Sequence, residues 1–234
     1  MIFGVILAGG VGSRMGNVDK PKQFLHIGGK PIIVHTTERF IINDSFAKVI
    51  VMCPEQWVAY TNDILNKYLS GIDIDVVVGG SVRNETIMNA IEHIRINYGL
   101  DDDTVLVTHD AVRPFVTQRI IEDNIAFATK GIPCDTMIPA TDTIVESIDG
   151  ESITTIPNRA DYYHGQTPQS FKANDFAELY KSLTNEERNV LTDAAKVFVM
   201  KGYKVAVVPG EAFNIKVTYP YDLQLAETLL RGGK

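Results

Sequence analysis

The chain is 234 residues long, carries a formal charge of −7, and is 45% hydrophobic and 22% charged. That length allows one large domain with a substantial core, and the balance is that of an ordinary globular protein. The acidic total excludes a general nucleic-acid binder or a binder of anionic membranes, yet a small site for a phosphorylated ligand needs only a local group of cations. Two distant cysteines, Cys53 and Cys134, form no ligand pattern and read as buried thiols. No apolar run reaches membrane length, and the opening MIFGVILAGG lacks the basic start of a signal peptide. A cytoplasmic protein without membrane insertion is therefore expected.

Apolar, β-branched runs alternate with amphipathic segments along the chain. In order, strands are predicted at 2–8, 48–53, 74–79, 104–110, 135–140 and 204–210. Helices are predicted at 31–43, 54–69, 83–97, 117–130, around 186–201 and at 219–231. Pro31, Pro54 and Pro220 suit first helical turns. Such alternation predicts an α/β fold with a mostly parallel sheet covered by helices on both faces. The stretch TDTIVESIDGESITTIPNR (141–159) breaks the rhythm, alternating apolar and polar residues around Asp149-Gly150. That is the signal of an antiparallel hairpin. A two-stranded arm is marginal alone, so it is expected to project and to lean on a second copy of the chain. The whole reads as one domain, 1–234, with 141–159 as a dimerisation arm.

Three places carry candidate chemistry. In ILAGGVGSRMGNVDKPKQFL (6–25), Gly9, Gly10 and Gly12 let backbone N–H groups approach a polyphosphate, and Arg14, Lys20 and Lys22 can neutralise it. The stretch matches neither the P-loop nor the dinucleotide fingerprint, and a tight glycine turn beside solvated cations is the plain alternative. THDAVRP (108–114) ends a strand, so Asp110 and Arg113 fall at the carboxyl edge of the sheet, where such folds bind ligands. Asp110 could hold Mg²⁺ directly or through water, and Arg113 could clamp a phosphate; a cap and a surface arginine are the plain alternatives. His109 reads as structural. Lys216, between Ile215 and Val217, faces either solvent or a site, and composition favours solvent. Thr192 reads as a helix cap.

Taken together, LAGGVGSRMG…PKQFL, GGSVRNET, THDAVRP, PNR…GQTPQSF, LTDAAK and NIKVT resemble, in order and over essentially the whole chain, the cytidylyltransferases that activate polyol phosphates. The resemblance implies a Rossmann-like, nucleotide-diphospho-sugar transferase-like fold that uses CTP and Mg²⁺. It implies catalytic roles for Arg14, Lys22 and Lys216, and nucleotide contacts from Ala8, Gly9, Gly10, Gly80, Ser81, Thr86 and Ala111. Asp110, Arg113, Thr192 and Lys216 would line the polyol-phosphate and metal region. Thr143 and Arg159 would reach the neighbouring subunit's site in a homodimer. Two branches fit. Tyr163-His164-Gly165 departs from the tryptophan usual in the methylerythritol-phosphate branch, so the segment looks more like the ribitol-5-phosphate branch of teichoic acid synthesis. The alternative acceptor is 2-C-methyl-D-erythritol 4-phosphate, of isoprenoid precursor synthesis. Two other classes remain for comparison: a silent nucleotide-binding protein on the same fold, and a glycosyltransferase using the D-x-D pattern of Asp101–Asp103.

Overall fold

In the computed structural model, which describes residues 1–10 and 20–232, the chain opens with strand β1 (Ile2–Leu7). A small antiparallel pair, β2 (His26–Ile27) and β3 (Lys30–Pro31), turns through Gly28 and Gly29, both at positive φ, and leads into α1 (Ile32–Ile41). Next come β4 (Lys48–Cys53), α2 (Val58–Tyr68), β5 (Ile74–Val78), α3 (Arg83–Asn97), β6 (Val105–Asp110), α4 (Gln118–Ala128) and β7 (Cys134–Pro139). After an exposed excursion the chain re-enters as β8 (Tyr163–Lys172). It then forms α5 (Ala173–Lys181), α6 (Asn185–Asn189), α7 (Ala195–Met200), β9 (Ala206–Pro209) and α8 (Pro220–Gly232).

The main sheet has the order β5-β4-β1-β6-β8-β7-β9. Every pairing is parallel except those of β8, which runs antiparallel to both β6 and β7. The chain winds outward from β1 through β4 to β5, then returns to place β6 on the other side of β1. The carboxyl ends of β1 and β6 therefore form the switch point of the sheet, with Leu7 in register with Asp110.

Strand periodicity sorts the core onto two faces. Val49 and Val51 face α1, α2 and α4, whereas Ile50 and Met52 face α3 and the aromatic group of Phe171, Phe176 and Phe198. Phe171 stacks on Phe176 at 4.7 Å between ring centres. Among the described residues, no helix is long and apolar enough to cross a membrane.

Three expectations change. The helix expected around 186–201 is two short helices. α6 ends at Asn189, and Asp193 Oδ1 accepts the Lys196 N–H at 2.9 Å to start the next turn. β8 and α5 lie in a stretch for which the sequence pattern gave no element. β8 is hard to read because its buried side chains include Gln166, Thr167, Gln169 and Ser170. The arm shows one antiparallel bridge, Glu146 to Thr155, around a turn in which the Asp149 carboxylate accepts the N–H groups of Glu151 and Ser152.

Phe176 is fully buried in the aromatic group. Phe176→Ala should lower unfolding free energy by about 3–5 kcal/mol, the usual cost of emptying a large core site. Urea denaturation followed by circular dichroism measures it, and a loss below about 1 kcal/mol would show that the face repacks freely.

Candidate active site

One cavity of about 540 Å³ opens at the switch point. Ala8, Gly9 and Gly10 form one wall, directly after β1, and the Ala8 N–H donates to the Met52 carbonyl at 2.8 Å. Lys22 lies beside them in a single 3₁₀ turn, Lys22–Phe24, and is 7% exposed. Gln23 donates to the Ala8 carbonyl at 2.8 Å and fixes that turn to the strand end. Opposite, the Gly80 N–H donates to Thr86 Oγ1 at 3.0 Å. A Cβ on Gly80 would come within 2.8 Å of Thr86 N and collide with Glu85, so this position requires glycine for close approach.

Asp110 ends β6 and is buried. Oδ1 pairs with Arg83 Nη1, while Oδ2 pairs with Lys216 Nζ at 2.7 Å and faces Arg113 Nε at 3.7 Å. Burial alone would raise its pKa. Arg83, then Lys216 and Arg113, outweigh that and hold the carboxyl well below the usual range. Lys216 reaches the site because the Val217 N–H donates to the Val112 carbonyl at 2.9 Å, laying 215–218 along the loop after β6. It faces the site, against the preference for solvent drawn from composition. His109, behind Asp110, is enclosed. Its Nε2 donates to the Arg113 carbonyl at 3.0 Å and its Nδ1 accepts from Thr167 Oγ1 at 2.9 Å. Burial lowers its pKa to about 4, so it stays neutral.

The cavity thus brings together Ala8, Gly9, Gly10, Lys22, Gly80, Ser81, Thr86, Asp110, Ala111, Arg113, Thr192 and Lys216. Arg14 and Gly12 lie outside the described residues. Lys20 turns away, donating to Tyr60 Oη at 2.6 Å. Thr143 and Arg159 do not join the cavity. They line a separate shallow concavity at the base of the arm, where Arg159 donates to the Thr141 carbonyl at 2.8 Å. The D-x-D pattern sits at the opposite, amino edge of the sheet, with Asp103 paired to Lys172 at 2.9 Å and Asp102 bonded to Asn174 at 2.9 Å. A metal held by Asp110 does not fit, because both carboxylate oxygens already answer to cations. Among the described residues, no group of three or more His, Cys, Asp or Glu side chains is placed to hold a metal ion.

Sequence reading missed Arg83, Gln166 and Gln169 in the cavity wall. Arg83 carried a signal, being the one cation of GGSVRNET, and the glutamines stood in the motif GQTPQSF, but their strand was unread and neither was given a role.

A glycine-cradled, cation-lined cavity at the switch point of a doubly wound sheet defines a class: proteins that bind phosphorylated nucleotides. A family profile described as 2-C-methyl-D-erythritol 4-phosphate cytidylyltransferase matches residues 2–232, and the chain belongs to that family, which makes it a CTP-using nucleotidyltransferase. Solved structures agree in fold. The 4-diphosphocytidyl-2C-methyl-D-erythritol synthase of Anaerococcus prevotii is 26% identical, with 98% of this chain and 96% of that chain covered and a TM-score of 0.77. The 2-C-methyl-D-erythritol 4-phosphate cytidylyltransferase of Thermus thermophilus is 26% identical, covering 99% and 100%, at 0.72. That of Francisella tularensis is 25% identical, covering 97% and 98%, at 0.77.

Behind the cavity, Asp135 on β7 is buried, and its Oδ1 has no hydrogen-bond partner. Burial, opposed by a bond from Gln169 and reinforced by Asp193, raises its carboxyl to about 7 from 3.8. The folded state therefore holds this proton more tightly than the unfolded state. The cost of ionising it is absent below 3.8 and complete above about 7. Asp135→Asn should stabilise the protein relative to wild type by an amount that grows across this window to about 4 kcal/mol. Urea midpoints of both proteins at pH 5 and pH 8 measure it, and a difference that does not grow with pH would contradict the assignment.

Proposed function

We propose that this chain transfers CMP from CTP to the phosphate of a short polyol phosphate and releases pyrophosphate. The observation that carries the reading is the convergence in one cavity of the Ala8–Gly10 turn, Lys22 and the cations grouped on Asp110. Bringing a phosphate monoester against a triphosphate crowds negative charge. At about 4 Å, two unit charges repel by roughly 4 kcal/mol at an effective dielectric near 20. Lys22 and Lys216 supply fixed counter-charge before the reaction begins, and Arg14 adds a third cation to the same task. An acceptor phosphate oxygen attacks the α-phosphorus. The bond from that phosphorus to the bridging oxygen breaks, and pyrophosphate leaves with the electron pair. No base is required, since a phosphate monoester is largely ionised at pH 7. That agrees with a His109 whose two nitrogens are both engaged. A magnesium ion accompanying CTP would belong to the substrate complex and would add counter-charge there.

The family to which the chain belongs and the related enzymes of known structure support 2-C-methyl-D-erythritol 4-phosphate as the acceptor. A second reading, D-ribitol 5-phosphate giving CDP-ribitol, rests on Tyr163-His164-Gly165. These residues depart from the methylerythritol branch and run into Gly165 and Gln166 of the cavity wall. Pyrophosphate release from CTP and Mg²⁺ with each acceptor decides between them, and the preferred acceptor should win by at least tenfold in kcat/KM. Release with neither would leave a silent nucleotide-binding protein.

In the same reading the protein is a homodimer. Ile148, Ile153 and Ile156 are exposed on an arm that its own sheet does not support, and Thr143 and Arg159 stand apart from their own chain's cavity. Arg159 then acts on the acceptor of the neighbouring subunit. Lys22→Ala and Arg159→Ala homodimers should each lose about 10²-fold or more in rate. Mixed after subunit exchange, they form dimers with one doubly damaged and one intact site, so up to half of the wild-type rate per mixed dimer should return. Activity remaining at the mutant level, with exchange verified, would assign Arg159 to its own subunit.

A further inference from the structure

The two arginines at Asp110 are bonded differently. Arg113 is clamped into the wall. Its Nη1 donates to the Asn214 carbonyl at 2.8 Å and its Nη2 to the Gly165 carbonyl at 3.4 Å, the residue is 9% exposed, and its Nε, 3.7 Å from Asp110 Oδ2, makes no hydrogen bond. Arg83 has one partner, Asp110 Oδ1, through Nη1, while its Nε and Nη2 are covered and have no hydrogen-bond partner. A covered charged donor without an acceptor is costly, and a guanidinium presents five donors. Among the described residues nothing else answers this need. Asp110 is shared with Lys216 and Arg113, and Asp135, close enough to feel the charge of Arg83, makes no bond to it. Arg83 is also the first residue of α3, two positions after Ser81. Its backbone belongs to the Gly80 side of the cavity and its head to the Asp110 side.

We propose that Arg83 is a phosphate ligand of this site. Its guanidinium turns about the contact with Asp110 and sets its Nε–Nη2 edge on the phosphate of the acceptor, a bidentate grip that a lysine cannot reproduce. Asp110 is then the substitute anion that keeps the guanidinium at the cavity until phosphate arrives, and Arg113 is a wall residue. This inference deepens the reading that a phosphorylated acceptor enters beside Asp110, and rests on it.

The test is calorimetry with inorganic phosphate as the probe, in the presence of CMP, on the wild type, Arg83→Met and Arg83→Lys. The acceptor KM of each protein is read from pyrophosphate release. Arg83→Met should weaken phosphate binding by about tenfold to a hundredfold, the range for loss of hydrogen bonds to a charged group. Acceptor KM should rise in parallel while CMP affinity stays within threefold. Arg83→Lys should recover only a minor part of the loss. Phosphate affinity in Arg83→Met within twofold of wild type overturns the proposal, as does a wild type that binds no phosphate. If Arg83→Met fails to bind CMP, Arg83→Lys decides, and wild-type phosphate affinity in that variant overturns the proposal. Arg83-dependent phosphate binding in a protein that transfers CMP to neither polyol would sink the acceptor reading and leave Arg83 in place. Transfer to a polyol with acceptor KM unchanged in Arg83→Met does the reverse.

Discussion

A single buried carboxylate keeps three like charges together. Arg83, Arg113 and Lys216 come from a helix start, a loop and an irregular strand-like segment, and without Asp110 they would repel one another in a cavity that water only partly screens. Much of the surrounding architecture serves that grouping. β6 carries Asp110 to the switch point, in register with Leu7, so that the carboxylate stands beside the glycine turn after β1. The neutral, doubly bonded His109 fixes the strand end behind it. The Val217–Val112 backbone bond brings in a lysine from more than a hundred residues downstream.

The parallel half of this design was legible in the sequence because its inner strands, β1, β4 and β6, are buried on both faces. Runs such as KVIVMC (48–53) cannot hide, and every residue of that strand is buried. The glycine turn and Asp110 were legible because their residue types are unusual at strand ends, and Lys22 because it stands close to Arg14 and Lys20 in the sequence. The antiparallel half was not. β8 combines a glycine, a proline and two glutamines in a strand whose last seven residues are buried, and Gly165, Gln166, Thr167 and Gln169 line the cavity while Phe171 joins the core. Periodicity reads hydrophobic burial, and a strand that buries polar side chains against a ligand site gives it nothing to read. The break between α6 and α7 left one trace in the sequence, the helix cap read at Thr192; the cap itself is the neighbouring Asp193, which starts α7 and divides the helix expected around 186–201.

The two edges of the sheet handle charge in opposite ways. At the amino edge each cation has its own carboxylate: Lys172 pairs with Asp103, and Lys48, nearly enclosed, pairs with Asp73 and Asp75. At the carboxyl edge the pairing is deliberately short, with one carboxylate among three cations. The second edge thus groups three cations on one shared carboxylate, which suits a phosphorylated guest. This arrangement lets a chain with a net charge of −7 hold an anion site without a basic surface.

The strand that closes the cavity has a consequence for how such a site can change over time. Gln166, Thr167 and Gln169 project from a strand in the middle of the sheet, and Gln169 is paired with both β6 and β7. Replacing them disturbs two strand pairings as well as the ligand. Thr192 and Asp193 reach the same cavity from a turn between two short helices, where substitutions meet little resistance from the core. Drift toward a new acceptor has an easy route through that turn and a hard one through the strand. Lineages of this fold should therefore vary their specificity from the helical side and keep the sheet side fixed.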